Sequence, residues 1–271
     1  MQEKPLAGKV AIITGAGSPI GLGRAMTEAL VGAGARVAML DINEEWLEST
    51  ANDIREVGGD DCVLPIICDV SSPDDAKASV QKTIDGLGGL DILVNNAGTN
   101  PRAAGLGSGG QVPFWETSAE AWSRVVSINF SGPFFMSQAV VGHLLAQKWG
   151  RIISVSSIYG REYGGSIDYM TSKAALIAFS KHMALNLVKE NVLVNCIAPG
   201  SIDFPGSSWD RFQQNSTPEE VAEFIDRNLP AGRFGWPEPI GDTVAFLASE
   251  NANLITGTCL NVDGGQSRSL F

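Results

Sequence analysis

Seven short apolar, β-branched runs recur along this chain of 271 residues, mostly with a helix-period segment between neighbours. That alternation restricts the fold more than any other feature. The runs are Val10–Thr14, Val37–Asp41, Val63–Cys68, Ile92–Asn95, Arg151–Ser156, Val192–Ala198 and Cys259–Val262. The helical candidates are Arg24–Val31, Glu44–Val57, Pro73–Leu87, Ala119–Leu145, Tyr169–Lys189 and Pro239–Ser249. Strands separated by helices return through right-handed crossovers, which build a parallel sheet covered on both faces. Runs such as AIIT and DILVN are apolar throughout, as burial on two sides requires. The expectation is an α/β, doubly wound (Rossmann) fold of three layers around a seven-stranded parallel sheet. No Pro/Gly/Ser linker divides the alternation, so residues 1–271 read as one domain.

Two stretches exceed ordinary connections: Thr99–Pro113, with its GLGSGGQ, and Ser201–Phe234, with Phe204, Trp209 and Phe212. Long segments at the carboxyl edge of a parallel sheet bind or cover ligands, so 201–234 is expected to cover a substrate. The formal net charge of −11 opposes binding to nucleic acid and to anionic membrane surfaces. Cys62, Cys68, Cys196 and Cys259 lie far apart and only two histidines are present, so no metal framework is legible. The N-terminal segment lacks the long apolar stretch of a signal peptide, and a cytoplasmic, reduced protein is expected.

The run VAIITGAGSPIGLGRAM reads as strand, glycine-rich turn and helix. Gly15 permits a tight turn, while Gly21 and Gly23 let the backbone approach a ligand where a Cβ would obstruct it. A helix starting near Leu22 offers free N–H groups and a partial positive charge to a pyrophosphate. Gly15, Pro19, Ile20, Gly21, Leu22 and Gly23 are therefore candidate cofactor contacts. Asp41 ends the second strand, where a carboxylate accepts hydrogen bonds from the adenosine ribose hydroxyls and repels a 2′-phosphate. No Lys or Arg precedes Gly23 in the loop or follows Asp41 closely, so NAD is expected over NADP. Asp69, after the third strand, is a candidate for the adenine amino group, with Val70 grouped beside it.

Tyr169 and Lys173 stand at i and i+4 and share a helix face. A cation near the phenol favours phenolate and lowers its pKa from about 10, toward proton exchange near neutral pH. Tyr159 and Tyr163 have no lysine at that spacing.

With these features in order, the chain resembles the short-chain dehydrogenase/reductase family, on its branch of subunits near 250 residues. The resemblance runs from about Leu6 to Gly265. It includes the glycine loop, Asn95-Asn96-Ala97-Gly98, Asn129, Ser156-Ser157-x-x-Gly160, Tyr169 with Lys173, Pro199-Gly200 and Val262-Asp263-Gly264-Gly265. It implies that Tyr169 exchanges the proton while Lys173 holds the nicotinamide ribose and tunes Tyr169. It further implies that Asn129 holds a water in the proton path and that a serine bonds the substrate oxygen. Asn95, Ala97 and Gly98 would line the adenosine side of the groove, and Pro199, Gly200 and Ile202 would contact the nicotinamide. Ser156 and Ser157 compete for the serine role. Ser157 is preferred because it fits Ser-x-x-Gly through Gly160. A homotetramer formed by the long helices is also implied.

Two positions depart from the family pattern. Pro19 stands where the middle glycine of the loop is usual, which two extra loop residues explain. Phe204 stands where many members carry a threonine after Pro-Gly. Enoyl reductases of the same superfamily place six residues between Tyr and Lys, but the position seven before Lys173 is Ser166. The expected activity is NAD-dependent interconversion of a secondary alcohol and a ketone. A 3-oxoacyl or other ketone reductase is the alternative, and a non-catalytic dinucleotide sensor the remote one. Arg102 and Arg161 flank the expected site and raise the question of an anionic substrate, although surface solvation is the plainer reading of both.

Overall fold

The computed structural model describes residues 4–107 and 112–270, so part of the Gly-rich stretch of 99–113 lies outside the described residues. The strands are β1 (Val10–Thr14), β2 (Arg36–Asp41), β3 (Val63–Ile67), β4 (Ile92–Asn95), β5 (Gly150–Val155), β6 (Val192–Pro199) and β7 (Cys259–Val262). They form one sheet in the order β3-β2-β1-β4-β5-β6-β7, and every pairing is parallel. Successive crossovers therefore wind outward from β1 in both directions, and the order reverses between β1 and β4.

The period of two along each strand sends alternate side chains to opposite layers. In β1, Ala11 and Ile13 join one core, and Val10 and Ile12 join the other. The first core is completed by α1 (Leu22–Gly32), α2 (Glu44–Gly58) and, later in the chain, the helix Glu238–Ala248. The second is completed by α3 (Pro73–Leu87), and by two further helices, Gly132–Gln147 and Ile167–Leu187. Three layers result, with apolar strands buried on both sides.

The expected helix over Ala119–Leu145 is interrupted. It comprises α4 (Ala119–Val126), a π-helical turn over Ser127–Ser131, and α5 (Gly132–Gln147). Pro133 has no N–H to give the carbonyl of Asn129 four residues earlier, so the regular ladder fails there and widens. The 29-residue run Ala119–Gln147 is long and apolar enough to span a bilayer, with a mean hydropathy of 1.2. Here Met136, Val140 and Leu144 enter the second core, whereas Trp122 and Phe134 remain exposed.

After α6 (Ile167–Leu187), the stretch 201–234 contains two short helices that were not expected from the sequence, α7 (Ser208–Gln214) and α8 (Pro218–Asn228). Thr217 and Glu220 form a reciprocal capping box at the start of α8. The last helix, α9 (Glu238–Ala248), crosses α1 in close contact. A Cβ on Gly241 would lie 2.4 Å from the Ala25 carbonyl oxygen, a main-chain atom that cannot step aside cheaply. Gly241→Ala is expected to destabilise the protein by about 1–3 kcal/mol through overpacking, measured as a lower urea midpoint at unchanged slope.

Candidate active site

A cleft of about 580 Å³ opens where the carboxyl ends of β1 and β4 part, walled further by segments after β5 and β6. At this split the Asn96 side chain joins the two strand ends. Its Nδ2 donates to the carbonyls of Thr14 at 2.9 Å and Gly15 at 3.0 Å. The Thr14 hydroxyl in turn accepts from the N–H groups of Asn96 and Ala97, each at 3.0 Å.

The glycine loop forms one wall. Gly21 precedes α1 at φ 117°, a conformation costly for any residue with a Cβ, and no side chain caps the helix. A Cβ on Gly23 would lie 2.2 Å from the Gly15 carbonyl oxygen. The first-turn N–H groups of α1 thus stand uncapped at the wall formed by Gly21, Leu22 and Gly23. This cradle of glycine backbone and helix dipole fits the pyrophosphate of a dinucleotide. Asp41 lies along the same wall. One of its carboxylate oxygens accepts from the Gly17 N–H at 2.9 Å, and the other from the Asn43 N–H at 3.1 Å. That anchoring leaves lone pairs on both oxygens for a further donor.

The structure brings Gly15, Ile20, Gly21, Leu22, Gly23, Asp41, Ala97, Gly98, Pro199, Gly200 and Ile202 to the cleft wall. Pro19, Asp69, Val70 and Asn95 stand outside it. Asn95 is buried in β4 with its Nδ2 3.4 Å from the Ser137 hydroxyl, so the adjacent Asn96 replaces it at the wall. The side chain of Asp69 closes a local turn by accepting from the N–H and hydroxyl of Ser71. Those hydrogen bonds hold its carboxyl below the usual range despite partial burial, which acts in the opposite direction. Val70 packs against Gly132, where a Cβ would come within 2.8 Å of it. Phe204 lies over the glycine loop, its ring 3.0 Å from where a Gly21 Cβ would stand.

At the opposite wall, Tyr169 and Lys173 project from the first turns of α6. Lys173 is buried, and its Nζ donates to the Val155 carbonyl at 2.8 Å. Desolvation pushes its pKa down to about 8, with Cys196 acting weakly in the other direction. The ammonium sits 5.6 Å from the Tyr169 ring centroid. The sequence suggested a lowered phenol pKa. In the protein alone the Tyr169 pKa lies above its ordinary value, because burial outweighs the opposing influence of the nearby Ser157 hydroxyl. The ammonium is committed to a carbonyl of β5, and desolvation of the phenolate prevails.

The two serines are separated by the turn after β5. The Ser156 hydroxyl donates to the Lys173 main-chain carbonyl at 2.9 Å and so secures α6. Gly160 permits this contact, since a Cβ there would lie 2.7 Å from the Ser156 Oγ and 2.9 Å from the Lys173 carbonyl. The Ser157 hydroxyl instead accepts from the Tyr159 N–H at 3.2 Å and lines the cleft with Tyr169. Asn129 is fully buried in the π turn. Its Oδ1 accepts from the Thr99 N–H at 2.8 Å, while its Nδ2 donates to the Thr99 carbonyl at 2.9 Å and the Ser172 hydroxyl at 3.2 Å. A Cβ on Gly98 would meet Lys173 Nζ at 3.4 Å and Asn129 Oδ1 at 3.6 Å, which sets all three together.

Sequence reasoning missed Asn96, Thr99 and Tyr159, which also line the cleft, while Trp209 of the expected covering segment does reach it. The Thr14–Asn96 clamp has no local signal, because its partners lie 82 positions apart. The π turn did have one, in the proline four residues after Asn129.

A family model described as enoyl-(acyl carrier protein) reductase matches residues 15–267. A 3-oxoacyl-(acyl-carrier-protein) reductase of Thermotoga maritima is 35% identical over 262 residues, covering 96% of this chain and 98% of the relative. A sorbitol dehydrogenase of Cereibacter sphaeroides is 36% identical over 268 residues, at 96% and 98% coverage. Among solved structures, levodione reductase superposes with a TM-score of 0.86 at 31% identity, covering 97% of this chain and 98% of that one.

The depressed pKa of Lys173 has a measurable consequence. Between about pH 8 and the unfolded value near 10.4 the unfolded chain holds the extra proton, so stability rises with pH through that window. Relative to Lys173→Met, wild-type unfolding free energy is expected to gain roughly 1 kcal/mol per pH unit between about pH 8.5 and 10. Chemical denaturation of both proteins without dinucleotide checks this.

Proposed function

The chain belongs to the short-chain dehydrogenase/reductase family, and from that premise we propose that it interconverts a secondary alcohol and a ketone with NAD. One observation carries the reading: Tyr169 and Ser157 line the same cleft, and the buried ammonium of Lys173 stands 5.6 Å from the Tyr169 ring. Two hydroxyls directed at one substrate oxygen form a hydrogen-bonding cradle, and one of them exchanges the proton. A bound nicotinamide dinucleotide supplies hydride transfer. Ser157 orients the substrate oxygen, and Tyr169 gives its proton to a forming alkoxide or takes one from an alcohol. Lys173 holds positive charge beneath the phenol as negative charge develops there, and Asn129 keeps β4 and α6 in register through Thr99 and Ser172. Proton passage through a water at Asn129 is part of the same reading.

Asp41 supports NAD over NADP, because a carboxylate at the end of β2 disfavours a 2′-phosphate. That preference favours alcohol oxidation as the working direction. The Tyr169–Lys173 spacing and the placement of Ser166 ahead of α6 argue for carbonyl rather than enoyl chemistry. Relatives named as 3-oxoacyl reductases favour a second reading, ketone reduction by the same residues. Exposed Trp122, Phe134 and Leu185 on α4, α5 and α6 support assembly into a homotetramer. Four free cysteines support a reducing, cytoplasmic setting.

Absorbance at 340 nm with a panel of secondary alcohols and ketones tests the activity. Tyr169→Phe is expected to lower kcat by about 10²–10⁴-fold while NADH binding by fluorescence stays unchanged. Full activity in that variant would overturn the mechanism. Asp41→Ser is expected to lower the NAD/NADP ratio of kcat/KM by at least roughly tenfold, the loss of one charged contact.

A further inference from the structure

The substrate end of the cleft is a neutral chamber with two fixed aromatic rings. Among the described residues of the wall, Asp41 and Lys173 are the charged ones. Asp41 ends β2 and is anchored to the glycine loop, while Lys173 is bonded to the Val155 carbonyl. The arginines that flank the site have other partners or face solvent. Arg161 turns to β7, where its Nη1 donates to the Cys259 carbonyl at 2.6 Å, and Arg102 is exposed outside the wall. On the covering segment, Arg211 donates to the Gly206 carbonyl and Arg233 stacks on Trp236 at 4.7 Å. An anion entering this space gives up its hydration and meets no cation but Lys173, whose ammonium is already bonded to the Val155 carbonyl.

What the chamber does offer is flat apolar surface. Gly164 fits so closely on the Tyr159 ring that a Cβ there would lie 2.1 Å from its Cε1, and Gly165 separates the ring from Tyr169. Opposite in the sequence, Trp209 projects from α7 and is backed by three rings. Their centroids lie 4.9 Å (Phe224), 5.5 Å (Phe234) and 6.0 Å (Phe212) from its own. Asp203 fixes the start of α7 by accepting from the Ser207 hydroxyl at 2.9 Å and from Gln213 Nε2 at 2.8 Å. Rings held this firmly reward a compact ring-sized body over a flexible chain, because little further ordering is needed on binding.

We propose that this chamber selects an uncharged, compact, ring-bearing ketone or secondary alcohol, held against Tyr159 and Trp209, and rejects carboxylates and phosphate-bearing thioesters. The inference rests on the reading of the cleft as a carbonyl/alcohol site and names the substrate class of that site. The overall charge of −11 acts in the same direction by repelling anionic carriers before they dock.

The test compares cyclohexanone, 3-oxocyclohexane-1-carboxylate and acetoacetyl-CoA on the full chain with NADH. Calorimetry then measures binding of the two ring ketones to the protein saturated with NAD. Cyclohexanone is expected to exceed the carboxylate by roughly 100-fold in both kcat/KM and affinity, for want of an uncommitted cation. Trp209→Ala is expected to lower kcat/KM for cyclohexanone by about tenfold, mainly through KM, and Trp209→Phe to recover most of it. Ser208→Arg, which places a cation on the exposed rim, is expected to bring the carboxylate level with or ahead of cyclohexanone. Equal or better use of the carboxylate or the thioester by the wild type overturns the proposal. So does an unchanged ranking in Ser208→Arg, or failure of both ring ketones to bind. Absent turnover with the calorimetric ranking intact instead sinks the dehydrogenase reading and upholds the neutral chamber.

Discussion

The clamp between Thr14 and Asn96 is the interaction on which the site depends. Where the strand order reverses, β1 feeds a helix on one face of the sheet and β4 feeds chain on the other, so their carboxyl ends diverge. Four hydrogen bonds hold the roots of that divergence together while the loops above stay apart. The cleft is therefore a product of topology, and its width is fixed by one amide side chain and one hydroxyl. Gly15 and Ala97 approach so closely there that a Cβ on Gly15 would lie 2.8 Å from the Ala97 Cα. The glycine loop on one side and the path to Asn129 on the other are both referenced to this point.

Electrostatics at the second wall follow from burial. Lys173 is held almost without solvent against a single carbonyl, and burial weakens its hold on its proton, while burial of Tyr169 itself raises the phenol pKa. The spacing of four residues puts phenol and ammonium on one face, but it does not by itself make a phenolate. In the proposed reaction, charge developing on a substrate oxygen would favour the protonated lysine, so the pair would respond to the reaction rather than stand ionised in advance. The scaffold is stiff around it: Ser156 ties α6 to the end of β5, and Asn129 ties α6 to the segment after β4.

Much of this arrangement was legible in the chain. Period-two apolar runs specify strands buried on both faces, and Gly21 and Gly23 declare a backbone that must come close to something. Asp41, Tyr169 and Lys173 stand at the cleft wall, where local spacing along strand and helix points them. The misreadings have physical causes. Asn95 and Asn96 are neighbours in sequence, and only the strand register shows that the first turns into the core and the second into the cleft. Helices α7 and α8 were concealed because each is short and follows turn-forming residues, while the aromatic cluster that joins them forms only when the two helices pack.

By itself the sequence determined the order of strands and helices, the cradle of glycines and the helical spacing of Tyr169 and Lys173, since each follows from steric rules acting over a few residues. The tertiary structure alone decided that the Ser156 hydroxyl is bonded to the Lys173 main chain and where the ammonium of Lys173 spends its hydrogen bond. It also decided that no flanking arginine enters the wall of the cleft. Those outcomes depend on how groups far apart in the chain exclude water from one another, and burial of that kind exists only once the layers have closed.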